Sequence, residues 1–391
     1  MKYFSASFYY VHYKVLVKLL RETFRHFKPL IWLLLLVLLF FYFTNQLAHI
    51  FFRVIDGIFF RGYKKVKIKE PVFIIANPRS GTTYLHRLIS LDEEKFAYTK
   101  FLQTFHLTVS FVKLVHIMHV IDKRTGNLLR RLMNRVDKRV WGGWDEVHPM
   151  GFDKAEEDEL IFAQMLLSPG IFIPFPYFDA IDDNKFLDKQ PEEVRNNAMD
   201  FYESCIKRFM YATNGNKTYL AKNVLSTGRF KTLMRRFPDA KIIYIARHPY
   251  NAVPSLASMC TAMYKFYLPQ MPDDAPPKKA WGQLAIDFYK YSNEMKDTIP
   301  SSQFYALKYD DLTRDPRGEV LKIYERFGWQ PSEKLLQKLD EEQARNGSRH
   351  SHHEYTLEQY GYTKRDINRE LSDIMDEWGF EKEGEEVVVE K

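Results

Sequence analysis

The pattern of apolar and polar positions separates a long apolar stretch near the start of the chain from an alternation of short strands and helices after it. Several β-branched, apolar runs end abruptly in polar residues, and amphipathic stretches follow them. Such runs predict strands covered on both faces, as in a parallel sheet. We predict strands near residues 71–76, 218–222, 241–246 and 303–308, and helices near 82–90, 192–212, 227–236, 250–266 and 314–328. The predicted fold class is α/β, a P-loop-like parallel sheet with helices on both faces.

The apolar stretch near the start predicts a membrane anchor. Residues 29–52 carry no full charge, and their length of about 24 residues exceeds the roughly 20 that cross a bilayer. Residues 8–28 are basic and amphipathic, as in a helix on a membrane surface. Because six basic residues precede the stretch (Lys2, Lys14, Lys18, Arg21, Arg25, Lys28) and six follow it (Arg53, Arg61, Lys64, Lys65, Lys67, Lys69), flanking charge assigns no orientation. A spanning helix and an interfacial helix both remain open.

These patterns divide the chain into five segments. We predict a basic amphipathic segment, an anchor, a basic linker, one α/β domain and a charged tail, at residues 1–28, 29–52, 53–70, 71–380 and 381–391. A second apolar stretch, 101–120, carries a lysine and three histidines, so we interpret it as a core or substrate-cleft helix. The proline-rich stretch 267–280 predicts a loop that could act as a lid.

Composition narrows the ligand class. The 391 residues carry a net charge of +7, which suits anionic ligands or an anionic membrane surface. No nucleic-acid-binding module is recognisable, so we expect no nucleic-acid partner. The two cysteines, Cys205 and Cys260, exclude a disulfide framework, and we expect both to be reduced thiols.

The strand at 71–76 leads into an anion-binding loop. The loop reads Asn77-Pro78-Arg79-Ser80-Gly81-Thr82-Thr83, and a helical pattern follows it. Free N–H groups and the positive end of a helix meet at such a turn and attract an anion. The guanidinium of Arg79 matches phosphate-like oxygens, Gly81 allows close backbone approach, and Ser80, Thr82 and Thr83 add hydroxyl donors. The Walker pattern is not met, because Thr82 stands where its lysine would follow the glycine.

Two further strands end in chemistry of the same kind. Arg247 follows the strand at 241–246, and Ser255 lies eight residues later in a predicted helix, so both side chains could hold one phosphate. Lys222 ends the strand at 218–222 and is followed by Asn223. We expect these groups to meet where parallel strands end at one edge of the sheet.

These motifs resemble those of sulfotransferases that use 3′-phosphoadenosine 5′-phosphosulfate (PAPS), over roughly residues 71–380. The broad bacterial and tyrosylprotein-sulfotransferase-like group is the most similar. The resemblance implies that the loop at 77–83 holds the 5′-phosphosulfate, that Arg247 and Ser255 hold the 3′-phosphate, and that Lys222 contacts the transferred sulfuryl group. It also places Tyr309, in the late strand segment 304–316, and Arg349, in the basic stretch 348–353, at the nucleotide. Val224 departs from the family pattern, which has proline there.

The candidates for the general base are acidic residues and a histidine that precede the strand predicted at 218–222. His148 precedes a run of four acids, residues 156–159, at the start of an apolar helix. We predict Glu157 as the base, with His148 and Asp158 as alternatives. Acids in a first helical turn also complement the helix dipole, which is the structural alternative. Tyrosylprotein sulfotransferases place a catalytic glutamate about twenty residues after the loop arginine. In this chain the corresponding residues, 98–103, include no carboxylate, so the pattern favours an acceptor other than protein tyrosine.

The sequence therefore predicts a membrane-associated, PAPS-dependent sulfotransferase that needs no metal. Two alternatives stay open: a kinase-like phosphotransferase, which lacks its Walker lysine, and a non-catalytic membrane scaffold, which would have lost the donor-contacting residues. The group that accepts the sulfuryl could be a hydroxyl or an amine, and the acceptor molecule a carbohydrate, a lipid or a small alcohol. The catalytic domain would face the cytoplasm in a bacterium, and the Golgi lumen in a eukaryote.

Overall fold

The computed structural model describes residues 5–26, 28–128, 130–132, 135, 155–213, 215–262, 264–272, 275–345 and 356–383. The strands are β1 (Val72–Ala76), β2 (Phe96–Tyr98), β3 (Thr218–Lys222), β4 (Lys241–Ala246) and β5 (Phe304–Lys308). The helices are α1 (Tyr13–Arg25), α2 (Pro29–Phe59), α3 (Thr82–Ile89), α4 (Phe101–Phe105), α5 (Val109–Arg124), α6 (Glu159–Gln164), α7 (Glu192–Ala212), α8 (Phe230–Arg236), α9 (Pro249–Thr261), α10 (Tyr264–Tyr267), α11 (Pro276–Lys296), α12 (Tyr309–Arg314), α13 (Pro316–Arg326), α14 (Glu333–Arg345) and α15 (Lys364–Trp378). Short 3₁₀ turns include Arg61–Lys65, Pro169–Phe172 and Val224–Arg229.

The five strands form one parallel sheet in the order β2-β3-β1-β4-β5. The central strand β1 is buried at every position, which explains its uninterrupted apolar run. Its side chains alternate between two cores: Phe73 and Ile75 pack with α7, whereas Val72 and Ile74 pack with α3 and α13. Helices therefore cover both faces, and the predicted α/β fold class is confirmed.

Several elements differ from the sequence-based expectations. The sheet contains a fifth strand, β2, whose three residues are too few to give a pattern. The helix α11 begins at Pro276, inside the stretch expected to be a loop, because proline at a first helical position needs no hydrogen-bond donor. The helix expected at 314–328 is present as α13, but it begins at Pro316, because the side chain of Asp315 caps it by accepting from the N–H of Gly318. A separate short helix, α12, ends just before this cap.

The apolar stretch near the start forms α2, which by length and composition could cross a membrane. It runs seven residues beyond the expected end at residue 52, because Arg53 and Asp56 lie on the face that packs against the domain. The second apolar stretch forms α4 and α5. One face of α5 is buried, whereas Leu114, Ile117 and Ile121 are exposed.

Candidate functional site

The sheet topology brings three predicted cationic residues to one edge. Strands β3, β1 and β4 are neighbours and run parallel, so their carboxyl ends lie side by side. Lys222 is the last residue of β3, Arg247 follows β4 directly, and Arg79 lies in the loop after β1. This edge is where open parallel sheets bind ligands.

The loop after β1 is tightly wound. Both Arg79 and Gly81 have positive φ, 69° and 82°. That conformation favours glycine and costs a residue with a side chain about 1–3 kcal/mol, so the surrounding contacts must hold Arg79 in place. A Cβ atom at Gly81 would lie 2.7 Å from Cδ2 of Tyr309, so the glycine also permits a close contact. Helix α3 starts at Thr82, and its first N–H groups face the loop.

Direct contacts join the loop to the predicted 3′-phosphate residues. Nε of Arg79 donates to Oγ of Ser255 at 3.2 Å. Arg247 donates from Nη1 to the carbonyl oxygen of Arg79 at 2.5 Å, and its guanidinium carbon lies 4.6 Å from the centre of the Tyr309 ring. The hydroxyl of Tyr289 donates to the carbonyl oxygen of Arg247 at 2.5 Å, which fixes the end of β4. The two predicted anion elements therefore form one cluster.

A second cluster surrounds Lys222. Its side chain is fully buried, and Nζ lies 2.6 Å from Oε1 of Glu157 and 3.9 Å from Oε1 of Glu156. Nζ also donates to Oγ1 of Thr83 at 2.9 Å, so the lysine connects the acidic run to the anion loop. Glu156 is held against the end of β2 by backbone and hydroxyl bonds to Thr99. A buried ammonium group is thus paired with a carboxylate that remains partly exposed.

The other two acids of the run have structural partners. Asp158 is buried, and burial raises the pKa of its carboxyl group. It accepts hydrogen bonds from Tyr202, Tyr219 and Asn223. Glu159 forms a two-pronged ion pair with Arg229, at 2.6 Å for each oxygen. These contacts hold in place the segment that carries Glu157. If the acidic run served only to complement the helix dipole, such specific partners would not be needed.

His86, on α3, is a site residue that the sequence reasoning missed. Its ring is fully buried, and neither ring nitrogen has a hydrogen-bond partner among the described residues. Burial, and then the positive charge of Lys222, lower its pKa to about 3, so the ring stays neutral. Its position one turn after Thr83, on the helix that follows the loop, is the sequence signal that could have found it. Tyr289 was missed because its helix was not predicted.

Two predicted site residues, His148 and Arg349, lie outside the described residues. The three histidines of the basic stretch 348–353, at positions 350, 352 and 353, lie outside them as well. Within the described ranges, no group of three or more histidine, cysteine, aspartate or glutamate side chains is placed to hold a metal ion. Cys205 and Cys260 are buried free thiols.

A groove of about 680 Å³ lies beside the Arg247 cluster. Its lining includes His248 and Tyr250, which follow Arg247, and Lys308, which precedes Tyr309. Neither Lys222 nor Glu157 lines this groove. The groove therefore adjoins the Arg247 side of the site rather than the Lys222 side.

Comparison with known proteins gives a consistent result. A model of the sulfotransferase family matches residues 71–333. Two curated proteins, both named omega-hydroxy-beta-dihydromenaquinone-9 sulfotransferase Stf3, from Mycobacterium bovis and Mycobacterium tuberculosis, are each 26% identical over 320 residues. Each match covers 80% of this chain and 76% of the relative.

Solved structures support the same fold. Sulfotransferase STF1 from Mycobacterium tuberculosis has a TM-score of 0.63 and 20% identity, with 85% of this chain and 84% of that one covered. Sulfotransferase STF9 from Mycobacterium avium has a TM-score of 0.65 and 17% identity, with coverage of 83% and 81%.

Proposed function

The chain belongs to the sulfotransferase family, and from this premise we propose that it transfers a sulfuryl group from PAPS to a hydroxyl group of a lipid acceptor. The family and reaction class agree with the expectation from the loop at 77–83, and the kinase-like and scaffold alternatives are set aside. The observation that carries the proposal is the contact between the two clusters: Lys222 reaches Thr83 of the anion loop, and Arg247 reaches Arg79 of the same loop.

The cluster around Arg79 suits the donor nucleotide. PAPS carries a 3′-phosphate and a 5′-phosphosulfate, and this edge of the sheet offers two guanidinium groups and a helix N-terminus. In the proposal Arg247 and Ser255 bind the 3′-phosphate, while residues 79–83 bind the 5′-phosphosulfate. Tyr309 holds both parts in register, because its ring contacts the guanidinium of Arg247 and lies against Gly81. Arg349 stays a proposal from sequence.

The cluster around Lys222 suits the transfer step. The acceptor oxygen forms a bond to sulfur while the bond from sulfur to the bridging oxygen breaks. The leaving nucleotide, 3′-phosphoadenosine 5′-phosphate, keeps the electron pair, and Lys222 stabilises the growing negative charge. Glu157 takes the hydroxyl proton, since its carboxylate lies beside Lys222 and retains an exposed fraction of 19% through which an acceptor can reach it.

The proposed acceptor is a hydroxyl group on an apolar, membrane-delivered molecule. The curated relatives are named for an omega-hydroxylated dihydromenaquinone. The present chain supports the same class through the exposed apolar side chains of α2 and α5, which a water-soluble acceptor does not require.

Calorimetric binding of 3′-phosphoadenosine 5′-phosphate tests the donor site. We expect the wild-type protein to prefer this ligand over adenosine 5′-phosphate by about a hundredfold, as loss of a charged phosphate contact costs roughly 2–3 kcal/mol. The Arg247→Ala variant should lose the preference. Arg235→Ala, which removes an exposed arginine paired with Glu192, serves as the matched control and should keep it. Equal binding of both nucleotides by the wild-type protein would refute the donor assignment.

The acceptor is tested by mass spectrometry of products formed from PAPS. We expect sulfation of a detergent-dispersed long-chain isoprenoid alcohol, and little sulfation of a sugar or a water-soluble phenol. A preference for the soluble acceptors would contradict the lipid proposal while leaving the donor site intact.

A further inference from the structure

The outer face of α2 is strongly apolar along its whole length. Its exposed residues include Leu33, Leu36, Phe40, Phe43, Leu47, Phe51, Val54 and Ile58. They recur every three or four positions, so they form one stripe that faces away from the protein. Helix α5, which packs beside α2, adds Leu114, Ile117, Met118 and Ile121, and α1 adds Val17 and Phe24. An exposed apolar surface of this extent marks an interaction site.

The exposed charged side chains of α1, α2 and α5 are all positively charged. Each helix contains a single carboxylate, and all three are buried: Glu22 on α1, Asp56 on α2 and Asp122 on α5. The exposed charged residues are all basic, namely Lys14, Arg21 and Arg25 on α1, and Lys113, Lys123 and Arg124 on α5. An apolar stripe bordered by positive charge complements a leaflet that contains anionic lipids.

The opposite face of α2 is fastened to the catalytic domain. Near its start, Ile31 and Leu35 belong to the same core as Phe172 of the domain. Further along, Gln46 donates to the carbonyl oxygen of Gln164 at 2.8 Å. Near its end, Asp56 accepts from the backbone N–H of Val109 and of Ser110 at 2.8 Å each, and lies 3.2 Å from Nε of Arg208. The helix therefore contacts protein throughout, not at one end alone.

The chain before α2 packs on the same body as the chain after it. Nη1 of Arg53 donates to the carbonyl oxygens of Ser7 and Phe8 at 2.8 Å each. Lys18 on α1 forms an ion pair with Asp183 at 2.6 Å, and Val15 and Leu19 are buried in the main core. A helix that crosses a bilayer places its two flanks on opposite sides. That arrangement would break these contacts.

We propose that α1, α2 and α5 form a single membrane-docking face that seats the catalytic domain on one anionic leaflet, with α2 lying along the leaflet instead of crossing it. The docking face comprises the exposed apolar and basic residues named above. It goes beyond the proposed function, because the seating depends on these helices and not on the donor site.

The topology is tested by cysteine labelling in sealed membrane vesicles of uniform orientation from expressing cells. Single cysteines are introduced at exposed positions that flank α2 on either side, as Lys28→Cys and Arg61→Cys, while native Cys205 and Cys260 are buried. We expect a membrane-impermeant maleimide to label both positions, or neither, before detergent is added. Labelling of one position alone would establish a spanning helix and overturn the proposal.

Lipid binding is tested by flotation with vesicles of phosphatidylcholine, with or without phosphatidylglycerol. Reversal of three exposed charges, Lys113→Glu with Lys123→Glu and Arg124→Glu, should weaken binding to the anionic vesicles by about a hundredfold. The matched control reverses three exposed basic residues elsewhere: Lys231→Glu, Lys334→Glu and Arg365→Glu. It should bind like the wild-type protein. Equal loss in both triple variants would refute the docking face as the contact.

A second variant removes apolar contact without touching charge. Leu33→Asn, Phe40→Asn and Leu47→Asn change exposed positions only, so the fold should persist by circular dichroism while membrane association is lost. Analytical sedimentation then distinguishes a membrane from a second copy of the chain as the partner of this face. A wild-type dimer that this variant converts to a monomer, with no flotation of either protein, would assign the face to a second copy of the chain and overturn the proposal. Binding of nucleotide by these variants should equal that of the wild-type protein, which separates this test from the donor site.

Discussion

Buried charges stabilise two regions of this molecule in different ways. On α2, the polar stripe formed by Gln46, His49, Arg53 and Asp56 is buried against the domain, and backbone groups provide most of its partners. At the sheet edge, Lys222 is equally buried, but its partners are side chains: Glu157, Glu156 and the hydroxyl of Thr83.

This difference in partners indicates which buried polar groups stabilise the fold and which can take part in catalysis. Backbone partners cannot turn away, so the α2 stripe holds two elements in one fixed arrangement. Side-chain partners can exchange, and Glu157 retains an exposed edge. A ligand oxygen can therefore replace a carboxylate or a hydroxyl beside Lys222 without breaking a helix or a strand. We expect substitutions in the first region to cost stability and substitutions in the second to cost turnover.

The largest effect should come from Asp56→Ala. This change leaves Arg208 buried without its carboxylate and removes the acceptor for two N–H groups at the start of α5. Loss of one partner from a buried pair costs about 3–5 kcal/mol. Denaturant unfolding should show this loss. Asp200→Ala, which breaks a partly exposed pair with Arg236, is the control and should change stability by less than about 1 kcal/mol.

Lys222→Ala should have the converse signature. We expect turnover to fall by about a hundredfold or more while the variant remains folded, because the lysine acts on charge that develops in the transition state. Arg79→Ala should behave in the same way. The measurement is initial rate with saturating PAPS, together with a thermal unfolding scan.

Glu157→Gln sharpens this comparison. It should lower turnover at neutral pH by about a hundredfold, with nucleotide affinity nearly unchanged, since a general base acts on the acceptor. Glu156→Gln, at the longer distance of 3.9 Å from Lys222, is the matched control and should have a smaller effect. A larger loss in the Glu156 variant would exchange the two roles.

The smallest effect concerns pH and His86. Its pKa is about 3 in the folded protein and 6.5 in an exposed reference state. The unfolded chain therefore takes up a proton as pH falls below 6.5, and the folded chain does not, so stability decreases with decreasing pH. The slope from one such group is about 1.4 kcal/mol per pH unit.

His86→Leu should make this pH dependence shallower. The difference between the unfolding free energies at about pH 7 and about pH 5 should be smaller in this variant than in the wild-type protein, because the leucine binds no proton. His119→Leu, a change at an exposed position, provides the control. Identical slopes in the wild-type protein and the His86 variant would contradict the assignment.

Some parts of the fold and of the site could be predicted from the sequence because the residues that form them are neighbours along the chain. Strand β1 and the loop at 77–83 are contiguous, so apolar run, turn glycine and hydroxyl residues appear together. Helix α11 was missed because prolines at its start resemble a loop signal. The role of Arg53 and Asp56 was missed because charges after an apolar stretch resemble a solvated linker, whereas both are buried here.

The sequence by itself determined which segments become buried strands, which turn can hold an anion and which chemistry each strand end carries, because these properties depend on neighbouring residues. Only the tertiary structure decided that Glu157 lies beside Lys222, that Arg247 reaches the loop of Arg79, and that α2 is bound to the domain along one face. Such pairings depend on the order of strands in the sheet and on the packing of distant helices, which no local pattern records.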